Sequence, residues 1–148
     1  FEECFRAFQE HYVKHCQDNT ELYPGVLSMV KSLKNRGYKL AIVSNKLQEG
    51  VTQLQKRFFN ELIDVAIGER KGFRRKPYPD MVELALQELG VTADESVYIG
   101  DSEVDIATAR NSGLPCITVL WGFRDRDYLQ EAGASCMVER PVDILELV

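Results

Sequence analysis

The sequence lacks any apolar run long enough to cross a bilayer. Its longest, such as Leu40 to Val43 and Ile117 to Trp121, fall far short of the roughly 20 residues that a spanning helix needs, so no membrane partner is expected. A basic excess is missing too. With 18 lysines and arginines against 23 aspartates and glutamates, and a formal net charge of -5, a nucleic-acid partner is disfavoured, because duplex binding depends on cations displacing counterions. Cysteine is sparse and unpatterned: Cys4, Cys16, Cys116 and Cys136 show no C-x-x-C spacing. A chain of 148 residues can hold together by burial, without a disulfide framework. A reducing, cytoplasmic setting is the expectation. No repeat, low-complexity tract or flexible linker interrupts the chain, and Phe1 opens into an amphipathic pattern rather than a basic leader followed by an apolar segment.

What is present is alternation. Phe1, Phe5, Phe8, Tyr12 and Cys16 recur at spacings of three and four, one stripe of a helix. Cys4, His11 and His15 flank it and offer a conceivable metal site, against the plainer reading of residues at the edge of a core. Pro24-Gly25 marks a turn, and Val26, Met29, Val30 and Leu33 give a second helical face ending at Gly37. Then the period changes. Leu40 to Val43 reads as a buried strand stopping at Ser44. Strand-like runs follow at 62 to 67, 97 to 99, 116 to 121 and 136 to 138. Helical patterns separate them, around 51 to 58, 82 to 90, 106 to 113 and 128 to 132, with a last helix from Val142. Strands alternating with helices predict an α/β fold: a Rossmann-like, mainly parallel sheet with helices on both faces.

In such sheets the chemistry lies beyond the carboxyl ends of the strands, and three places there draw notice. Ser44-Asn45-Lys46 ends the first strand; Ser44 can donate to a phosphoryl oxygen, or the same residues can cap a helix. Lys76 precedes Pro77-Tyr78-Pro79, where two prolines stiffen the loop and hold an ammonium with little freedom to lose; a solvated basic loop is the alternative. Gly100-Asp101 ends the third run, with Glu103 and Asp105 close behind. Hard oxygen donors this dense suit Mg²⁺, which takes one or two carboxylates and completes its shell with water and phosphate. Helix capping is the competing role for either aspartate.

Taken in order, a strand ending in serine, a lysine before proline and a strand ending G-D-x-x-x-D resemble motifs two to four of the haloacid dehalogenase superfamily. V-S-N-K, K-P-Y-P-D, G-D-S-E-V-D and W-G-F-R look most like its phosphoglycolate phosphatase group. The resemblance implies a cap remnant over residues 1–20 and a core domain over 21–148. It also implies hydrolysis of a small phosphorylated metabolite through an aspartyl-phosphate intermediate, with Mg²⁺ as cofactor. Ser44 and Asn45 would bind the phosphorylated substrate, Lys76 would steady the phosphoryl group and the nucleophile, and Asp101 and Asp105 would serve the metal. A phosphomutase or a pyrophosphatase on the same scaffold is the alternative within enzymes, and a non-catalytic phosphate-binding or interaction module the alternative outside them.

One family element has no counterpart. Members begin with a strand ending D-x-D-G-T, whose first aspartate attacks phosphorus; Asp125-Arg126-Asp127 has the spacing but lacks the glycine and threonine and follows motif four. That strand would sit at the centre of the sheet, so the expectation is an upstream segment of the same protein that completes it. Without that segment the 148 residues are expected to be inactive.

Overall fold

The computed structural model describes residues 2–15, 18 and 20–148. Phe1 and Cys16 of the predicted stripe lie outside the described residues, as do the side chains of Phe5, Phe8 and Tyr12 and that of Cys4 of the conceivable metal site. The other two members of that site are described: the His11 and His15 rings stack at 4.4 Å, and His15 Nδ1 is 2.7 Å from the Asp18 carboxylate, both residues being exposed.

After α1 (Glu2–His15) and α2 (Val26–Asn35), strands and helices alternate. They run β1 (Ala41–Leu47), α3 (Gln48–Phe58), β2 (Val65–Glu69), α4 (Asp80–Leu89), β3 (Tyr98–Gly100), α5 (Glu103–Asn111), β4 (Cys116–Val119), α6 (Arg126–Glu131), β5 (Met137–Val138) and α7 (Pro141–Ile144). All described strand pairs are parallel, as strands joined by helical crossovers must be. Two boundaries differ from the predicted ones. Asn60–Leu62 form a 3-10 turn, so β2 starts later than the apolar run suggests. And β1 does not stop at Ser44 but continues to Leu47, through an irregularity. Four steps along β1, Val43 to Leu47, match two along β2, Ile67 to Glu69, so Ser44, Asn45 and Lys46 bulge from the ladder. A bulge of this kind re-aims side chains at a sheet rim.

The sheet is in two pieces. β1 pairs with β2, and β4 lies between β3 and β5. Between the pieces runs a cleft of about 730 Å³, with Ala41, Ile42 and Val43 on one wall and Val97, Tyr98 and Ile99 on the other. Helices bind the halves together. Met29, Val30 and Leu33 of α2 and Ile144 of α7 pack with Ile117 and Val119 of β4, and Ile42 of β1 and Leu40 just before it join the same cluster. α4 serves both halves: Met81 and Ala85 pack on Val65 and Ile67 of β2, whereas Val82 packs with Tyr98, Ala109 and Leu114. α4 ends at Gly90, whose φ of 66° is a left-handed value that costs glycine little.

Candidate active site

The carboxyl ends of β1 and β3 meet through one loop. At the β1 bulge, Asn45 grips the Lys76 peptide from both sides: its Oδ1 accepts from Lys76 N at 2.8 Å and its Nδ2 donates to Lys76 O at 3.2 Å. The Lys76–Pro77 peptide is cis. Asn45 therefore anchors the lysine loop to the tip of β1. Beside it, Ser44 Oγ accepts from Lys46 N at 3.2 Å, an arrangement that leaves the hydroxyl proton free to donate elsewhere.

From this anchor the Lys76 side chain crosses to the other half of the sheet. Its Nζ donates to Asp105 Oδ1 at 2.7 Å and to Tyr98 Oη at 3.2 Å, and the side chain is only 13% exposed. Asp105 is the hub. Tyr98 Oη donates to Oδ1 at 3.1 Å, while Ser102 Oγ and Asp101 N donate to Oδ2 at 2.8 and 3.1 Å. A carboxylate offers about four lone-pair positions, and here four protein donors meet them. Burial works against the Asp105 charge, but the Lys76 ammonium and the hydrogen bonds outweigh it and hold the carboxyl below its ordinary range. Burial, then the neighbouring Asp105 carboxylate, pushes the Tyr98 hydroxyl up, so it keeps its proton.

Asp101 follows the last residue of β3 and is placed where α5 is about to begin. Ser102 caps that helix, its Oγ accepting from Asp105 N. Burial and the Asp105 carboxylate both push the Asp101 carboxyl up, and a bound cation would relieve both. Two glycines allow the crowding: a Cβ on Gly100 would fall 2.2 Å from Asp105 Cβ, and one on Gly122 would fall 2.1 Å from Asp101 Oδ2. A carboxylate at this rim, beside a hydroxyl and an ammonium, is the hard oxygen donor that would fit Mg²⁺. Among the described residues no three His, Cys, Asp or Glu side chains converge on one point.

Sequence reasoning expected three clustered acids, and the structure corrects this. Glu103 forms a two-point pair with Arg124, at 2.9 and 3.1 Å, because side chains two apart on a helix do not share a face. The lysine loop and the two strand ends bring Ser44, Asn45, Lys76, Asp101 and Asp105 to one rim. The Tyr98 hydroxyl was given no role in the sequence, where its one signal was a tyrosine within the apolar run before Gly100, and Gly122 entered only as part of the W-G-F-R tail.

Fold and rim place the protein among Rossmann-type α/β proteins, whose ligands sit beyond the strand ends. A family model of haloacid dehalogenase-like hydrolases matches residues 1–119, and the chain belongs to that family. It is 30% identical to pyrophosphatase PpaX of Halalkalibacterium halodurans over 99% of this chain and 69% of that protein. It is also 30% identical to a phosphoglycolate phosphatase of Aquifex aeolicus, over 99% and 68%. A candidate phosphoglycolate phosphatase solved from Lactobacillus delbrueckii subsp. bulgaricus shares 46% identity with a TM-score of 0.90, covering 95% of this chain and 59% of that one. CbbY of Rhodobacter sphaeroides, solved with xylulose 1,5-bisphosphate, shares 28% with a TM-score of 0.79, covering 96% and 64%. The chain thus spans about three fifths of these solved relatives.

Proposed function

We propose that this chain is the larger part of a Mg²⁺-dependent phosphatase acting on a small phosphorylated metabolite, in a cytoplasmic setting. The observation that carries the proposal is the bridge from Asn45 through Lys76 to Asp105 and the Asp101 backbone, which joins an amide, an ammonium and a carboxylate at one rim, with Ser44 next to Asn45 in the chain. Ser44 donates to a phosphoryl oxygen. Asn45 holds the lysine loop against the end of β1 and so shapes the substrate side. Lys76 neutralises charge shared by the phosphoryl group and the attacking carboxylate. Asp101 is the metal ligand, and Asp105 serves the metal site by fixing Asp101 and Lys76 rather than by offering an open lone pair. Mg²⁺, when bound, neutralises the charge that builds on the phosphoryl oxygens. Such sites work by positioning and electrostatic compensation.

The nucleophile belongs to an extended segment seated in the cleft between β1 and β3. Its first aspartate attacks phosphorus as the P–O ester bond breaks, and the leaving oxygen takes a proton from the second aspartate of the same D-x-D element. Water, giving a proton back to that aspartate, then hydrolyses the aspartyl phosphate to inorganic phosphate and the free carboxylate. Residues 1–20 are part of a cap and 21–148 the core. Pyrophosphate is the second candidate substrate, favoured by the similarity to PpaX; there the leaving group is phosphate itself.

The test uses the full gene product. Phosphate release from p-nitrophenyl phosphate, phosphoglycolate and pyrophosphate is measured with Mg²⁺ and with EDTA. Release that requires Mg²⁺ and is abolished by Asp101→Ala, with the fold retained by circular dichroism, is the expected result. Wild-type turnover in Asp101→Ala would remove Asp101 as the metal ligand, and no release from any of the three substrates would overturn the phosphatase reading.

A further inference from the structure

Tyr98 has no part in the roles assigned so far. Its ring packs among Val82, Ala109 and Leu114, its backbone N–H donates to Pro115 O at 2.9 Å, and the residue is only 9% exposed. Nothing in that packing calls for a hydroxyl. Phenylalanine would fill the same space, and a hydroxyl at such depth is costly unless it is bonded. It is bonded twice, to the two charged groups that hold the site together: it accepts from Lys76 Nζ at 3.2 Å and donates to Asp105 Oδ1 at 3.1 Å, while Lys76 Nζ donates to that same oxygen at 2.7 Å. The three groups close a triangle.

We infer that Tyr98 is a positioning residue that orients the Lys76 ammonium. An ammonium carries three N–H donors that turn together about the Cε–Nζ bond. One acceptor leaves that rotation open, whereas two acceptors at fixed points stop it and give the third N–H a single direction. Asp105 and Tyr98 supply the two fixed points. Both are rigid, Asp105 through its bonds to Asp101 N and Ser102 Oγ and Tyr98 through its place in β3, in register with Cys116 of β4. The third N–H is left for the phosphoryl group. The catalytic consequence rests on the phosphatase reading above; the immobilisation of the ammonium does not.

Tyr98→Phe in the full gene product separates the two, since it removes the hydroxyl and keeps the ring. Proton–nitrogen correlation of lysine ammonium groups is expected to show a slowly exchanging Lys76 signal, assigned by its disappearance in Lys76→Met, that is lost in Tyr98→Phe. In the same variant kcat is expected to fall by about tenfold to a hundredfold, the worth of one hydrogen bond to a charged group. KM should stay within about twofold, and the melting temperature should fall by no more than several degrees, the stability counterpart of one lost hydrogen bond. A Lys76 signal that is absent from the wild type, or that persists in Tyr98→Phe, overturns the positioning role. Loss of the signal with wild-type kcat overturns its catalytic consequence. Loss of the signal in a protein whose wild type releases no phosphate leaves the clamp standing and removes the phosphatase reading instead.

Discussion

Gly100 and Gly122 set how closely the two aspartates can lie to the backbone around them, and neither needs glycine for a left-handed turn. The requirement is space: at both positions a Cβ would overlap an aspartate. Gly122→Ala in the full gene product should therefore displace the Asp101 carboxylate by the better part of an ångström, and such misplacement costs about a hundredfold in rate. The expected result is that loss together with a raised Mg²⁺ half-saturation; an alanine variant with wild-type kcat and Mg²⁺ dependence would mean that the carboxylate is not held where the structure puts it. In the sequence Ser44 and Asp101 drew notice because each follows an apolar run, Lys76 because two prolines follow it, and Asp105 because it stands close behind Asp101. Tyr98 did not, because a tyrosine inside such a run reads as core, which it is, while its hydroxyl partners come from elsewhere in the chain. Glu103 was misread because counting neighbours in sequence ignores the phase of a helix that starts at that residue.

At the scale of elements, β1 depends on a side chain outside it. Asp64, just before β2, accepts from Leu40 N at 2.8 Å and pairs with Lys34 of α2, while its own N–H donates to Leu40 O at 2.9 Å. One carboxylate thus ties α2 to the start of both paired strands. Burial opposes its charge, but the Lys34 and Leu40 hydrogen bonds prevail and hold it below the ordinary aspartate range. A carboxyl depressed in the folded state stabilises fully above its unfolded pKa of about 3.9, and that contribution is lost as pH falls through the lower folded value. Asp64→Asn should cost about 1 kcal/mol at neutral pH, read from urea midpoints of the full gene product, with the gap to wild type closing towards pH 3. A gap that stays constant over that range would show that charge is not what matters. The pairing was hidden from sequence reasoning because Asp64 sits in a predicted strand that in fact begins one residue later, and polar residues at strand starts carry no periodic signal. The bulge that carries Ser44 to Lys46 was equally invisible: periodicity marks where side chains alternate, not where a ladder takes in extra residues.

For the molecule as a whole, the unusual feature is a parallel sheet in two pieces. Parallel strands normally lie buried on both faces within one continuous ladder, yet Ile99 of β3 is 38% exposed, and β1 and β3 each have a described partner on one edge only. Both edges line the same cleft. A single strand bonded to both would need them about two ladder spacings apart, roughly 9.6 Å, and would join the halves into the order β2, β1, inserted strand, β3, β4, β5. The α/β class and the order of elements were readable from alternation alone, but the pairing of strands was not, since an edge is a property of the neighbours a strand lacks. An open parallel edge beside an apolar wall is an unstable arrangement in water. Residues 1–148 expressed alone should therefore unfold without a sharp thermal transition and bind a hydrophobic dye such as ANS at the cleft, whereas the full gene product should melt cooperatively and bind little. A monomer of residues 1–148 with a sharp transition and no dye binding would mean that the two halves close on each other without an inserted strand, and the proposed seat of the nucleophile would be lost with it.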